Sequence, residues 1–342
     1  MDPDPQAAQS AFAAGVAAFE RGDHATAAGH FLYVLLADPA NAEAHQYVGG
    51  IAFRAGRFHK ALREFEAARR LAPERAQYHF DTAVTHWKLG DNIAARRCAE
   101  TAVSLDPRLD AAIDFLSMLT FPGPQYLELL AAIHAHLRPH TYVEIGVADG
   151  KSIALALPET RAIGIDPAPE VARPLGSRTS IRATTSDDYF AAHDVAGDLG
   201  GLALDLAFID GMHQFEFALR DFMNVEKLCS PDSTILIHDV YPVTRMSAER
   251  ERQTGFWSGD IWRLILILRK HRPDLSVNVI ATAPTGLAVV RRLDPGSKVL
   301  AERYDDIVRE YLALDYSALD ADKAGMLGLF PNDWTKIRTL LA

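Results

Sequence analysis

Gly22, Gly56 and Gly90 recur at intervals of 34 residues, and Pro39, Pro73 and Pro107 keep the same step. Ala27, Ala61 and Ala95 follow it too, as do Phe31 and Phe65. A fixed period of this length restricts the first third of the chain to stacked copies of one supersecondary unit. Each copy reads as a helix, a tight turn at "RGD", "AGR" or "LGD", and a second helix ending before "DP" or "AP". The small alanine permits close helix crossing. The proline ends the second helix because it cannot continue the hydrogen-bond ladder.

Over residues 8–107 this period resembles the tetratricopeptide repeat, in three copies. The resemblance implies a concave helical surface for docking a protein partner, or for self-association of the chain. "TFPGPQ", at 120–125, breaks the helical pattern with Pro122, Gly123 and Pro124. The expected domains are therefore a helical one over 1–120 and a second over 121–342.

Behind that boundary, short apolar runs alternate with helical stretches. "TYVEIGV", "RAIGIDP", "DLAFIDG" and "STILIHDV" read as strands; "YLELLAAIHAHL", "ADGKSIALAL" and "QFEFALRDFMNVEKL" read as helices. "VNVIAT" and "TGLAVVRRL" are separated by so little chain that only an antiparallel hairpin can join them. The fold class expected is α/β: a mostly parallel, doubly wound sheet with an antiparallel last strand, followed by outer helices up to Ala342.

"VEIGVADGKS" sets Glu144, Gly146 and Gly150 in an E-x-G-x-x-x-G spacing after a strand, where glycine permits a sharp turn and close ligand approach. Ala148 stands where a further glycine is common. "IGID" ends on Asp166, where an acid can accept the protons of both ribose hydroxyls. That spacing alone fits either S-adenosylmethionine (SAM) or a nicotinamide cofactor. The incomplete glycine fingerprint and the final hairpin favour SAM. Over residues 126–295 the chain resembles class I SAM-dependent methyltransferases. The resemblance assigns the adenine side of the pocket to Ser186 and Asp187 in "TTSDDYF". Ser186 also reads as a plain helix cap.

Asp210 ends one strand, and His238 and Asp239 end the next, at the carboxyl edge where open parallel sheets gather reactive groups. Neighbouring strands would bring these ends together into a set suited to a divalent cation. An alcohol must begin to lose its proton before it attacks a sulfonium methyl, so a metal and a nearby imidazole base both fit the chemistry. His213, just past the Asp210 turn, is the expected base. "FIDGMHQFEFALRDF" with "IHDV" resembles the metal-dependent sugar O-methyltransferases, among them macrolide-sugar, rhamnosyl and cephalosporin-biosynthesis-like enzymes. That resemblance implies a magnesium or manganese ion held by Asp210, His238 and Asp239, with His213 as base. His238 stands where the family has Glu, which shifts the preference from a hard ion toward manganese, iron or zinc. It also admits a site in which His238 only orients the acceptor. Asp221, on the same helix as His213, reads as a solvent or salt-bridge residue.

"GFWSGDIWRLI" follows. Asp260 there is placed to cap a helix start, and Phe256, Trp257 and Trp262 form either a substrate lid or packing. A tetratricopeptide adaptor with a non-catalytic sheet domain is the competing reading. The net charge of −10 is spread over both domains, with 12 Lys+Arg against 15 Asp+Glu in residues 1–120 and 23 against 30 after them. Neither has the basic excess that phosphate-backbone binding needs, so nucleic acid is not an expected partner. Two cysteines, Cys98 and Cys229, are too few for a metal knuckle or disulfide framework. No secretory leader is legible at "MDPDPQAAQS", and "IWRLILILRK" is too short to span a bilayer. A cytoplasmic protein without membrane contact is expected.

Overall fold

A computed structural model describes residues 5–342 of the chain; the first four residues of the leader reading lie outside the described residues. The chain divides into two compact units between Leu119 and Thr120.

The first unit is a run of helices: α1 (Pro5–Glu20), α2 (His24–Ala37), α3 (Ala42–Arg54), α4 (Phe58–Leu71), α5 (Ala76–Lys88), α6 (Asn92–Leu105) and α7 (Asp110–Thr120). They pair as α1/α2, α3/α4 and α5/α6, one pair per 34-residue copy. The inter-helix glycines Gly22, Gly56 and Gly90 have φ of 78°, 71° and 85°, the left-handed conformation that glycine adopts without penalty. Asp23 and Asp91 then cap the second helix of their copies by accepting from the backbone N–H of Thr26 and Ala94. Ala27, Ala61 and Ala95 are fully buried at the crossings.

Size is matched across the crossing. A methyl group on Gly15 would come within 2.9 Å of the Phe31 ring, and one on Gly49 within 2.7 Å of the Phe65 ring. One period on, the equivalent positions are Ala83 and Ala99, both fully buried. The third copy thus replaces a glycine–phenylalanine pair with two alanines.

The second unit opens with Phe121, buried edge-on against Tyr241, and α8 (Tyr126–Leu137), whose start carries a Gln125–Glu128 capping box. Its eight strands are β1 (Thr141–Ile145), β2 (Arg161–Asp166), β3 (Thr179–Ala183), β4 (Leu204–Ile209), β5 (Cys229–His238), β6 (Ser276–Ile280), β7 (Leu287–Arg291) and β8 (Leu329–Phe330). They form one sheet in the order β3-β2-β1-β4-β5-β7-β6-β8. The strands β1 to β5 pair in parallel, and β7 runs antiparallel to both β5 and β6. The fold class read from the sequence is the one observed.

Between the strands lie α9 (Ser186–Ala192), α10 (Val195–Asp198), α11 (Phe215–Glu226) and α12 (Trp262–His271); α13 (Val299–Glu302), α14 (Tyr304–Leu312), α15 (Lys323–Leu327) and α16 (Trp334–Leu340) follow. Alternating strand residues feed two cores. Tyr142, Phe208 and Leu236 pack with Leu130 and Ile133 of α8, and Val143, Ala207 and Ile237 pack with Phe215 and Leu219 of α11 and Ile265 of α12.

Three local readings change. "ADGKSIALAL" is not an α-helix: it holds only a single 3₁₀ turn, Ile153–Leu155, before Pro158 ends the segment. β3 carried no apolar run in the sequence because it is a half-exposed edge strand. The tail contributes β8, a two-residue parallel addition to β6, besides its helices. Cys98 and Cys229 are buried and not in a disulfide. No described helix is long and apolar enough to cross a membrane.

Candidate active site

The carboxyl ends of β1, β2 and β4 open onto a cavity of about 790 Å³. At the end of β1 the chain turns at Gly146, with φ of 86°. A Cβ there would collide with the carbonyl of Asp210, so only glycine lets the turns after β1 and β4 lie so close. The Asp166 carboxylate at the end of β2 accepts the backbone N–H groups of Val147 at 2.8 Å and Ala148 at 2.9 Å. It also lines the cavity, so one acid fixes the turn and keeps lone pairs for a ligand.

The residues expected to bind a cofactor separate into two sets. Gly146, Asp166, Ser186 and Asp187 line the cavity, as does Ser152. Glu144 and Gly150 lie outside its wall. Glu144 is fully buried, and burial raises its carboxyl to about 8, although the hydroxyls of Ser152 and Tyr142 both donate to it at 2.6 Å. Its role is to hold Ser152 and the turn from beneath. Gly150, with φ of 79°, packs against the Val171 side chain. Ser186 is not a helix cap, because Thr185 fills that position and accepts from the N–H of Asp188. The Asp187 carboxylate is engaged by Arg220, at 2.9 Å from Nε and 2.7 Å from Nη2.

β4 and β5 are adjacent and parallel, and their ends converge. His213 Nε2 lies 3.0 Å from Asp239 Oδ2 and 3.8 Å from Asp210 Oδ1. His238 Nδ1 lies 3.1 Å from Asp210 Oδ1 and 3.3 Å from Asp239 Oδ2. Asp239 also accepts the Thr285 hydroxyl at 2.6 Å. Burial opposes charge on His238, but the carboxylates of Asp239 and Asp210 outweigh it and raise the imidazole to about 10. Despite its own burial, Asp239 is held well below the usual carboxylate range by His213 and His238. Both His213 (φ 51°) and Asp239 (φ 58°) are left-handed without being glycine. Such strain costs on the order of 1 kcal/mol each, and the surrounding structure must impose it.

One ligand atom each from Asp210, His213 and Asp239 fall within 4.8 Å of one another. His213 Nδ1 and His238 Nε2 are buried without a partner among the described residues. Two carboxylate oxygens with an imidazole nitrogen fit a borderline divalent cation. Asp210, His213 and Asp239 are one such set, and His238 Nδ1, 3.1 and 3.3 Å from the same two carboxylates, offers a second imidazole beside it.

The "GFWSGDIW" segment closes over this end. Trp257 stacks on His213, with ring centres 4.9 Å apart at 24°, and lines the cavity. Trp262 is buried in the core and is packing, not lid. Asp260, fully buried, caps α11 rather than α12: its Oδ1 accepts from the N–H of Phe215 at 2.9 Å, and Oδ2 pairs with Arg250 and Arg263. Gly259 (φ 61°) sits against the His213 carbonyl where a Cβ would collide.

Tyr126, from α8, lies over His238 with ring centres 4.1 Å apart. Nothing in the sequence marked it, since the contact spans more than a hundred residues. Asp221 corrects the sequence reading. It is buried, not solvent-facing, and lines the cavity four residues after Phe217, which also lines it. The spacing of 213, 217 and 221 was the available signal.

Residues 143–240 match the family model described as a methyltransferase domain. The second unit carries a methyltransferase domain. No curated protein matches the chain. Solved structures similar to part of it include the first TPR of Spaghetti (RPAP3) bound to an HSP90 peptide, at 20% identity and TM-score 0.33, covering 35% of this chain and 94% of that one. The crystal structure of MamA is similar at 18% identity and TM-score 0.33, over 34% and 68%. The Sgt2 TPR domain from Aspergillus fumigatus is similar at 19% identity and TM-score 0.32, over 34% and 78%. In the methyltransferase domain, the cavity and the β4–β5 cluster adjoin, sharing Asp210, Gly211 and His213.

Proposed function

We propose that the methyltransferase domain transfers a methyl group from SAM to a hydroxyl of a sugar or glycosylated small molecule. The observation that carries this is that Asp210 and His213, which line the cavity together with Gly146 and Asp166, cluster with the buried Asp239 directly behind its wall. SAM would supply a methyl group already activated on a sulfonium. The Asp166 carboxylate would accept from its ribose hydroxyls. Trp257 offers an aromatic face at the reacting end, as sugar rings favour.

The chain's own chemistry is proton removal from the acceptor. His213 would take the hydroxyl proton on Nδ1, which has no partner among the described residues, since its Nε2–H donates to the Asp239 carboxylate at 3.0 Å. The carboxylates of Asp239 and Asp210 would stabilise the imidazolium formed. The same donor set suits a divalent cation held by Asp210, His213 and Asp239, which would lower the hydroxyl's pKa. His213 would then be ligand instead of base. The repeat unit is the part of the chain suited to hold a protein partner or a second copy.

The test is methyl uptake from labelled SAM across nucleotide sugars, oligosaccharides and glycosylated natural products, with and without EDTA and added Mg²⁺ or Mn²⁺. Loss on chelation and recovery with one ion supports the metal. Turnover that survives chelation but not His213→Ala supports the base. No uptake by any hydroxyl acceptor under either condition overturns the proposal.

A further inference from the structure

The cavity wall contributed by α11 and the turn before it is a stripe of His213, Phe217 and Asp221 at four-residue steps. His213 belongs to the reacting end. Asp221 lies eight residues further on, six steps of which run along α11, about 9 Å of helix. Across the sheet, reacting groups sit at β4 and β5, and the ribose acid Asp166 sits at β2. A purine joined to that ribose, remote from the sulfur, falls toward β3 and the start of α9, where Ser186 and Asp187 line the cavity.

At that end the Asp187 carboxylate is tied to Arg220, whose Nη1 also donates to the Tyr304 hydroxyl at 2.6 Å. Asp221 is different. It is only 4% exposed, and its Oδ1 is buried without a partner among the described residues. An unpaired ionised carboxylate in such a place is costly, so the neutral acid is favoured. Burial raises the group to about 7. The Ser186 hydroxyl opposes that rise, Asp187 from α9 adds to it, and Arg220 on α11 opposes it. The other elements packed on α11 (β4, β5 and α12) bring no charged group that acts on Asp221.

We propose that Asp221 reads the cofactor's purine, its carboxyl O–H donating to a ring nitrogen while its C=O accepts from the neighbouring amino group. This rests on the SAM reading above. A neutral carboxyl carries one donor and one acceptor side by side, which adenine's amino group and adjacent ring nitrogen complement. Ionisation removes the donor and sets a negative oxygen against a lone pair.

The experiment is calorimetry of S-adenosylhomocysteine binding to the full chain, at pH values about one unit below and 1.5 units above that titration. Wild type is expected to lose about tenfold or more in affinity over this interval. Asp221→Asn keeps an acceptor and a donor in the same place. It should bind within about threefold of wild type at the lower pH and lose most of the pH dependence. Asp221→Leu should bind at least about tenfold more weakly at both pH values, with its melting temperature recorded alongside. Affinity that is flat with pH in wild type, or a dependence that survives in Asp221→Asn, overturns the assignment while leaving the cofactor reading standing. Failure of wild type to bind at either pH overturns both. Should Asp221→Leu fail to fold, the Asn comparison alone decides.

Discussion

The imidazole of His213 meets the carboxylate of Asp239 at 3.0 Å, joining the turn after β4 to the end of β5. Both residues hold left-handed backbone conformations to do so. His213→Ala should lower turnover by about 10² to 10⁴ while S-adenosylhomocysteine affinity stays within about threefold. Asp239→Asn should give a comparable loss. Steady-state rates beside calorimetry check this, and a parallel loss of cofactor affinity would contradict it.

Gly259 supports the same turn from the other side, its backbone pressed on the His213 carbonyl. Gly259→Ala forces a side chain into a left-handed position with no room for it. The expected cost is about 1–3 kcal/mol of stability, together with a fall in turnover as the Trp257–His213 stack is displaced. Denaturant unfolding and a kinetic assay on the same preparation measure the two. Unchanged turnover would show that the stack does not matter.

Glu144 has a folded-state carboxyl raised to about 8, whereas an unfolded glutamate titrates near 4.3. Between those values the folded chain holds a proton that the unfolded chain releases. This group therefore makes stability fall as pH rises through the window, by up to about 1.4 kcal/mol per pH unit, and level off above about 8. Glu144→Gln removes the titration and keeps hydrogen-bonding capacity toward Tyr142 and Ser152. Denaturation midpoints followed across the window should show a shallower slope in the variant than in wild type.

In the repeat unit, Gly49→Ala places a methyl 2.7 Å from the Phe65 ring, and Phe65→Ala leaves a cavity of about 3–5 kcal/mol cost. The third copy places alanines at the equivalent positions, Ala83 and Ala99. The double variant should accordingly be less destabilised than the sum of the singles, by about 1 kcal/mol or more. Chemical unfolding of the four chains gives the coupling, and strict additivity would refute the size match.

Local signals carried much of the fold. The 34-residue step placed the helix pairs because each turn glycine and each buried alanine acts within its own copy. Continuous apolar runs revealed β1, β2, β4 and β5, since strands covered on both faces must be apolar throughout. β3 escaped because an exposed edge needs no such run, and β8 because two residues carry no period. At the site, Asp166, Asp210, His213 and Asp239 were legible as strand ends and the residues just beyond them.

What the sequence determined by itself was therefore the repeat, the sheet, and which acids and imidazoles stand at its carboxyl edge, all consequences of spacing along the chain. Only tertiary structure decided which of those groups face the cavity and which lie behind it. Glu144 was turned inward beneath Ser152, Asp221 into the wall, and Asp260 onto the start of a helix 45 residues away. Both His213 and His238 were brought against the carboxylates of Asp210 and Asp239. Each of these outcomes depends on strand pleat, helix rotation and contacts between distant segments, and no residue spacing encodes them.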